Sequence, residues 1–329
     1  MPQNAADIPV HNIQRKAAIV HAAAQDHAGS VFVRPMEHFD LNRTIFSTLE
    51  GTLPRLVMQS RIAKEPAWME TIAQKIDGRY QVMHTDQELP EVDPLLMRFL
   101  QEECDFDVEH ADGSFLDHLY FCYEYGVHHY PTRSPLVLLL HSILGTGTNT
   151  FAMEASKIPT LKPLMSEFEW LHVASFPSLL RLLYGITLRQ ELRANLHRLN
   201  ELDGIRFHRV IDNEPLEMST EDLWIQLNYH LIHLVDFLPV SNWTVHSNDT
   251  AFIVFRDLYD LLERAGKLET ELDYTPPRGP RRLQDEQLSL VGWLASWIPV
   301  TISEKMAAKS VHRFSDRIGH SMDYTLLWR

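Results

Sequence analysis

The chain has 329 residues, a formal net charge of −14, 45% apolar residues and 22% charged residues. These values are typical of a globular protein that buries its core without disulfides, and its two cysteines, Cys104 and Cys122, form no Cys-x-x-Cys zinc pattern. The acidic balance argues against nucleic acid and anionic membranes as partners. The first residues lack a secretory signal layout and no apolar run approaches the ~20 residues of a membrane span, so we expect a protein of the reducing cytoplasm.

The N-terminal part, residues 1–104, is predicted to be a helical extension. Helices are predicted at the Ala-rich Ile13–Gln25, at Pro66–Ile76, where Pro66 is the N-terminal residue, and at the amphipathic Pro94–Glu102. The range Asn42–Ile62 also has helical propensity, interrupted by Gly51 and Pro54. The intervening Asp77–Asp93 contains Gly78 and Pro90 and is predicted to be a loop with a short strand at Gln81–His84.

The central part, residues 105–274, is predicted to be a helical domain. Its predicted helices are Ser114–Tyr125, Pro135–Leu144, Leu164–Ala174, Pro177–Tyr184, Leu188–Asp203, a helix from Ser219–Asp222 to Phe237, and Thr250–Ala265. Gly204 is a typical helix terminator after Asp203, and the hydroxyls before Asp222 are a typical helix start. His128–Tyr130 is predicted to lie in a surface loop, with a metal-binding tract as the alternative.

A Pro/Gly/Arg linker at residues 275–284, with Thr275–Pro280 as its core, separates the domain from C-terminal helices in residues 285–329. Those helices are predicted at Asp285–Ile298 and Ser303–Arg317. No segment alternates as a large sheet does, so the predicted fold class is all-α with at most a small β element. The tryptophans near this end offer a surface for a homodimer or a partner protein: Trp293, Trp297 and Trp328.

Histidine is abundant, at 18 residues, and it is the commonest metal ligand and the usual acid–base group at neutral pH. Three segments concentrate it together with acids and hydroxyls. The first is Gly113-Ser-Phe-Leu-Asp-His118, the second is Leu138-Leu-Leu-His141-Ser142-Ile-Leu-Gly-Thr146, and the third runs from Asn228 through His230 and His233 to Asp236.

The first two segments resemble the HD superfamily of metal-dependent phosphohydrolases and oxygenases, a fold of packed helices. They are most similar to a family of HD-like proteins of uncharacterised function that carries His-Ser where the superfamily has His-Asp. The resemblance covers about 130 residues, from Asp105 to Pro239. It implies that His118, His141 and Asp236 bind a metal ion, and that His172 is an additional ligand.

Ser142 departs from the HD pattern, because a serine hydroxyl is a poor neutral ligand where the superfamily has a bridging aspartate. A dinuclear site is therefore not expected. The remaining set of two imidazoles and one carboxylate suits mononuclear non-heme Fe(II) and equally a Zn²⁺ ion with an open water site. The sequence does not choose between iron and zinc.

His233 and Asp236 lie three residues apart on one predicted helix, so both can face one site, with His233 as the acid–base group. The alternative is a helix with two half-exposed histidines at His230 and His233. The turn after His141 has hydroxyls and backbone N–H groups that can line a substrate pocket, and Ser142, Thr146 and Thr148 are its candidate substrate-binding residues.

Three functions remain open from the sequence. The first is a metal-dependent enzyme that acts on a small polar metabolite, with oxidation by iron ahead of hydrolysis because the aspartate of the dinuclear site is lost. The second is a non-catalytic scaffold that binds a ligand or a partner protein. The third is a metal-free enzyme with His118 or His141 as general base.

Overall fold

The computed structural model describes residues 26–27, 31–32, 90–104, 109–110, 113–145, 153–235, 250–272, 294 and 297–329. Of these described residues, 65% are helical and 9% lie in strands, which confirms that the protein is predominantly helical. Several predicted features lie outside the described residues, wholly or for the most part: Ile13–Gln25, Asn42–Ile62, Pro66–Ile76, Gln81–His84, Thr275–Pro280, Asp285–Ile298 and Trp293.

The helices of the described residues form one packed body. They are α1 (Pro94–Glu103), α2 (Phe115–His129), α3 (Leu136–Leu140), α4 (Ile158–Leu161), α5 (Glu167–Tyr184), α6 (Thr187–Ala194), α7 (Thr220–Val235), α8 (Thr250–Ala265) and α9 (Val300–Ile318). The short helix α3 packs against α2, α5 and α7, and α7 also packs against α2 and α5. None of the described helices alone is long and apolar enough to cross a membrane; α5 and α6 meet the criterion only together, across a bend of 82°.

The strands of the described residues form three antiparallel sheets. Two are pairs of two-residue strands, β1 (Asp26–His27) with β2 (Val31–Phe32) and β3 (Glu109–His110) with β4 (Gly113–Ser114). The third has three strands in the order β6-β5-β7, formed by β5 (Leu202–His208), β6 (Pro215–Ser219) and β7 (Thr325–Trp328). The C-terminal strand β7 thus pairs with a strand from the middle of the chain.

Local signals predicted two helix ends correctly, the start of α7 and the end of α8. The cap of α1 was not predicted: Asp93 accepts a hydrogen bond from the backbone N–H of Leu95 at 2.7 Å. Ser219 accepts one from the N–H of Asp222 at 3.1 Å at the start of α7. Helix α8 begins at Thr250 and ends at Ala265 as predicted, before Gly266 with its φ of 66°.

The prediction of two helices around Pro177 is wrong, because α5 runs without a break from Glu167 to Tyr184 with Pro177 inside it. A proline within a helix removes one backbone hydrogen bond and costs roughly 3 kcal/mol. Here every residue from His172 to Leu183 is buried, and that burial offsets the cost. The helix start is also strengthened by a capping box between Ser166 and Glu169.

The predicted helix Leu188–Asp203 is also wrong in its second half. Helix α6 ends at Ala194, a 3-10 turn covers Leu196–Glu201, and Gly204 lies inside strand β5 instead of ending a helix. In β5 the exposed Asp203 and Arg206 stand among residues buried in the core, an arrangement that depends on partners distant in sequence. A helix-terminating glycine and a glycine required by close strand contact look the same in a sequence.

The placement of His128–Tyr130 in a surface loop is wrong as well. Helix α2 continues through Gly126 to His129, and both His129 and Tyr130 are 1% exposed. The ring of His129 stacks on that of Tyr125 at 3.8 Å between centroids, and its Nδ1 donates to the carbonyl oxygen of Glu271.

Candidate functional site: a buried histidine cluster

Four histidines from three helices lie together in the core, and we call them the histidine cluster: His141, His172, His230 and His233. The first three are 0% exposed and His233 is 5% exposed. His141 follows the last residue of α3, His172 lies on α5, and the other two lie on α7. The cluster forms because α3, α5 and α7 pack against one another.

The ring of Phe176 lies at the centre of this cluster. Its centroid is 4.7 Å from that of His141, 4.1 Å from that of His230 and 5.4 Å from that of His233. The rings of His141 and His233 are also in direct edge contact, with centroids 4.7 Å apart. Three imidazoles therefore surround one phenyl ring.

His141 is oriented by the helix that precedes it. Its Nδ1 donates to the carbonyl oxygen of Leu138 at 2.6 Å, so the Nε2 of the neutral ring carries the lone pair. A backbone carbonyl that fixes the tautomer in this way is common behind metal-binding histidines. The fully buried run from Val137 to Leu140 holds this ring inside the core.

His230 and His233 are both buried on α7, so the alternative of two half-exposed histidines is wrong. Neither ring nitrogen of His230 has a hydrogen-bond partner within the part of the chain that the structure describes. Burial, with smaller contributions from His141 and His172, holds the pKa of His230 well below the usual 6.5. The imidazole is therefore neutral at neutral pH.

His172 links α5 to α7. Its Nδ1 donates to the Oε1 of Gln226 at 2.7 Å, and its Nε2 is 3.6 Å from the Oδ1 of Asp222. The nearby ring of His172, which lies beyond hydrogen-bond distance, and a hydrogen bond donated by Ser219 lower the pKa of Asp222. The ring also lies 5.6 Å from that of Tyr229, between centroids. The predicted additional ligand His172 thus belongs to the cluster, on the side that faces Asp222.

The other predicted site residues are only partly described. His118 lies on α2, and its side chain is outside the described residues, as are Asp236, Thr146 and Thr148 altogether. Ser142, directly after His141, is 5% exposed. Of the predicted ligands and catalytic residues, the structure therefore brings His141, His172 and His233 into one cluster.

A metal ion requires at least three converging ligands in most protein sites. Among the described residues, no three histidine, cysteine or acidic side chains form a group that could hold a metal ion. The described residues supply the contacting pair His141 and His233 and the unpartnered nitrogens of His230. This donor set suits a metal of the iron or zinc type when a further ligand completes it.

Sequence reasoning missed the role of Phe176 and placed His230 second to His233. Phe176 lies one helical turn after His172, so both rings face the same side of α5. That spacing is a signal, but aromatic residues at this spacing are ordinary core residues in most helices.

Searches of protein-family models, of curated proteins and of solved structures found no match for this chain.

Another buried histidine, His320, allows a prediction about pH. It is 4% exposed; its Nε2 donates to the carbonyl oxygen of His208 at 3.0 Å and its Nδ1 lies 3.2 Å from the Oγ of Ser315. Burial is the main cause that lowers its pKa from 6.5 to about 4. The contribution of this group to stability is fully present above about pH 6.5 and is lost as the pH falls toward 4, because the unfolded chain takes up the proton first.

We expect His320 to account for a loss of about 2 kcal/mol in the free energy of unfolding between pH 7 and pH 5. In the variant His320→Gln, the free energy of unfolding should fall by about 2 kcal/mol less between pH 7 and pH 5 than in the wild type, as measured by urea unfolding at both pH values. His312→Gln replaces an exposed histidine on α9, the helix that ends at Ile318 just before His320, and should keep the full loss. An acid loss in His320→Gln equal to that of the wild type would contradict the assignment.

Proposed function

We propose that this protein is a metal-dependent enzyme on an HD-like helical bundle, acting on a small polar metabolite. The observation that supports the proposal is the buried contact between His141 and His233, whose ring centroids are 4.7 Å apart. The sequence predicted both residues as site residues from separate motifs. Two buried imidazoles in contact, one of them oriented by a backbone carbonyl, are the kind of arrangement that metal sites use.

In this proposal His141, His118 and Asp236 hold the metal ion, with His172 as an additional ligand. A bound iron ion would supply oxygen activation and a bound zinc ion an activated water. His233 would hold or move a proton beside the ligands, because its ring touches that of His141. The buried apolar surroundings would exclude bulk water from the reacting atoms. Loss of the bridging aspartate at Ser142 favours a mononuclear oxygenase over a hydrolase.

The second candidate function is a non-catalytic scaffold that binds a ligand or a partner protein. The position of Phe176 favours it, because a phenyl ring fills the centre of the cluster where a metal ion would otherwise lie. The two candidates differ in one measurable property, which is the metal content of the protein.

The test is elemental analysis of the purified full-length protein after anaerobic loading with Fe(II) or Zn(II). We expect about one equivalent of metal per chain in the wild type and its loss in His141→Gln, with unchanged content in His129→Gln. His129 is the matched control because it is 1% exposed and lies outside the cluster. A wild type without metal would favour the scaffold, and full retention in His141→Gln would remove that residue from the site.

A further inference from the structure

The buried imidazole of His230 should destabilise the folded protein, and no hydrogen bond of its ring to the other described residues offsets this effect. It is 0% exposed, and neither ring nitrogen has a hydrogen-bond partner within the described part of the chain. A buried polar group without a partner destabilises the folded state, and native proteins contain few of them. An apolar side chain of similar volume at this position would avoid that cost.

Other buried histidines of the described residues show how this fold usually satisfies the ring nitrogens of a buried imidazole. His129, His141 and His172 each use one ring nitrogen in a hydrogen bond, and both ring nitrogens of His320 lie within hydrogen-bond distance of an oxygen. The fold therefore provides partners for buried imidazoles elsewhere. His230, whose ring lies 4.1 Å from Phe176 in the candidate site, differs from these four because neither of its ring nitrogens has a hydrogen-bond partner among the described residues.

We propose that His230 is a direct ligand of the bound metal ion, in addition to the residues that the resemblance to HD proteins implies. The proposal rests on the proposed function and deepens it. A metal ion fits the observations because an enclosed imidazole can be reached by a single ion with less rearrangement than by an organic molecule. A borderline metal such as zinc, iron or cobalt is the matching class, because the surrounding donors are imidazoles.

The first test replaces His230 by leucine in the full-length protein and measures two quantities. The apparent affinity for Zn²⁺, from competition with a chelating dye, should fall on the order of 10- to 100-fold or more. The thermal midpoint of the metal-free protein should rise by roughly 2–4 °C, because an unpartnered polar group is removed. The control His320→Leu should lower the midpoint and leave the affinity unchanged, because it deletes hydrogen bonds that are made.

The second test uses His230→Cys, which replaces one metal ligand by another. When loaded with Co²⁺, this variant should show a near-ultraviolet thiolate-to-cobalt absorption that the wild type and His320→Cys lack. The band reports direct ligation by residue 230 and does not depend on activity.

The outcomes separate this inference from the proposed function. Unchanged zinc affinity in His230→Leu and no new band in His230→Cys, with metal lost in His141→Gln, would overturn the role of His230 and leave the metal enzyme standing. A wild type that binds no metal would overturn both. A metal-free midpoint that falls in His230→Leu as far as in His320→Leu, with unchanged affinity, would show that His230 is structural.

Discussion

Replacing Arg189 by methionine should lower the free energy of unfolding by about 3–5 kcal/mol, which is the usual loss when one partner of a buried ion pair is removed. Arg189 on α6 is only 2% exposed. Its guanidinium donates to Asp257 on α8, to Glu304 on α9 at 2.8 Å and to the carbonyl oxygen of Leu183 at 2.7 Å. One side chain thus joins three helices and the end of α5.

The loss is large because the acids remain after the arginine is gone. The side chains of Asp257 and Glu304 are 22% and 17% exposed. Burial already raises the pKa of Asp257, against the opposing effect of Arg189. Methionine keeps most of the length of the side chain but removes the cation, so both carboxylates lose a partner in a poorly solvated position.

Urea unfolding followed by circular dichroism measures this loss, and Arg206→Met is the matched control. Arg206 pairs with Glu217 at 2.6 Å, but the two side chains are 63% and 57% exposed. Exposed pairs contribute roughly 0–1 kcal/mol, so the control should lose little. Equal losses in the two variants would mean that the buried ion pairs of Arg189 contribute no more to the free energy of unfolding than an exposed pair does.

Replacing Gly204 by alanine should lower the free energy of unfolding by about 1–3 kcal/mol or more, as overpacking in a core does. A Cβ at this position would lie 2.3 Å from the backbone oxygen of Met218 in the neighbouring strand β6. Backbone in a paired strand cannot move aside as the end of a flexible side chain can. The two strands would have to separate at the register pair of Gly204 and Ser219.

Gly266→Ala is the control for Gly204→Ala, because a Cβ at Gly266 meets nothing within 4 Å. Its φ of +66° is strained for alanine, which costs roughly 1–2 kcal/mol, but no neighbour has to move. Hydrogen exchange should therefore show faster exchange in β5 and β6 for Gly204→Ala only. Unchanged protection of both strands in that variant would contradict the steric explanation.

Features that depend on neighbours in sequence were predictable. The start of α7 at Ser219 and the end of α8 before Gly266 need only a few consecutive residues. Strand β5 was not predictable in the same way, because its partners are β6 and the distant β7. Likewise, the continuity of α5 through Pro177 depends on burial by other helices, which no local pattern records.

The candidate site was predictable where a motif marked it. His141 follows an apolar run before a turn, and His233 lies three residues before Asp236, and the structure brings the two rings into contact. The central position of Phe176 and the unpartnered state of His230 could not be predicted, because both depend on how α5 and α7 pack. Sequence motifs name residue types, whereas the missing hydrogen bonds of His230 are a property of the assembled core.

The pairing of β7 with β5 has a consequence for the order of folding. Strand β6 follows β5 after a short connection, whereas Thr325 pairs with Arg206 only after α7, α8 and α9 have been passed. Closing so long a loop costs more chain entropy than closing a hairpin, and contacts between distant residues slow folding. The β5–β6 hairpin can therefore form early, while the third strand joins after the helices between them have packed. The C-terminal strand β7 is then the last element to add to the sheet, and its pairing with β5 holds the two ends of this long chain segment together.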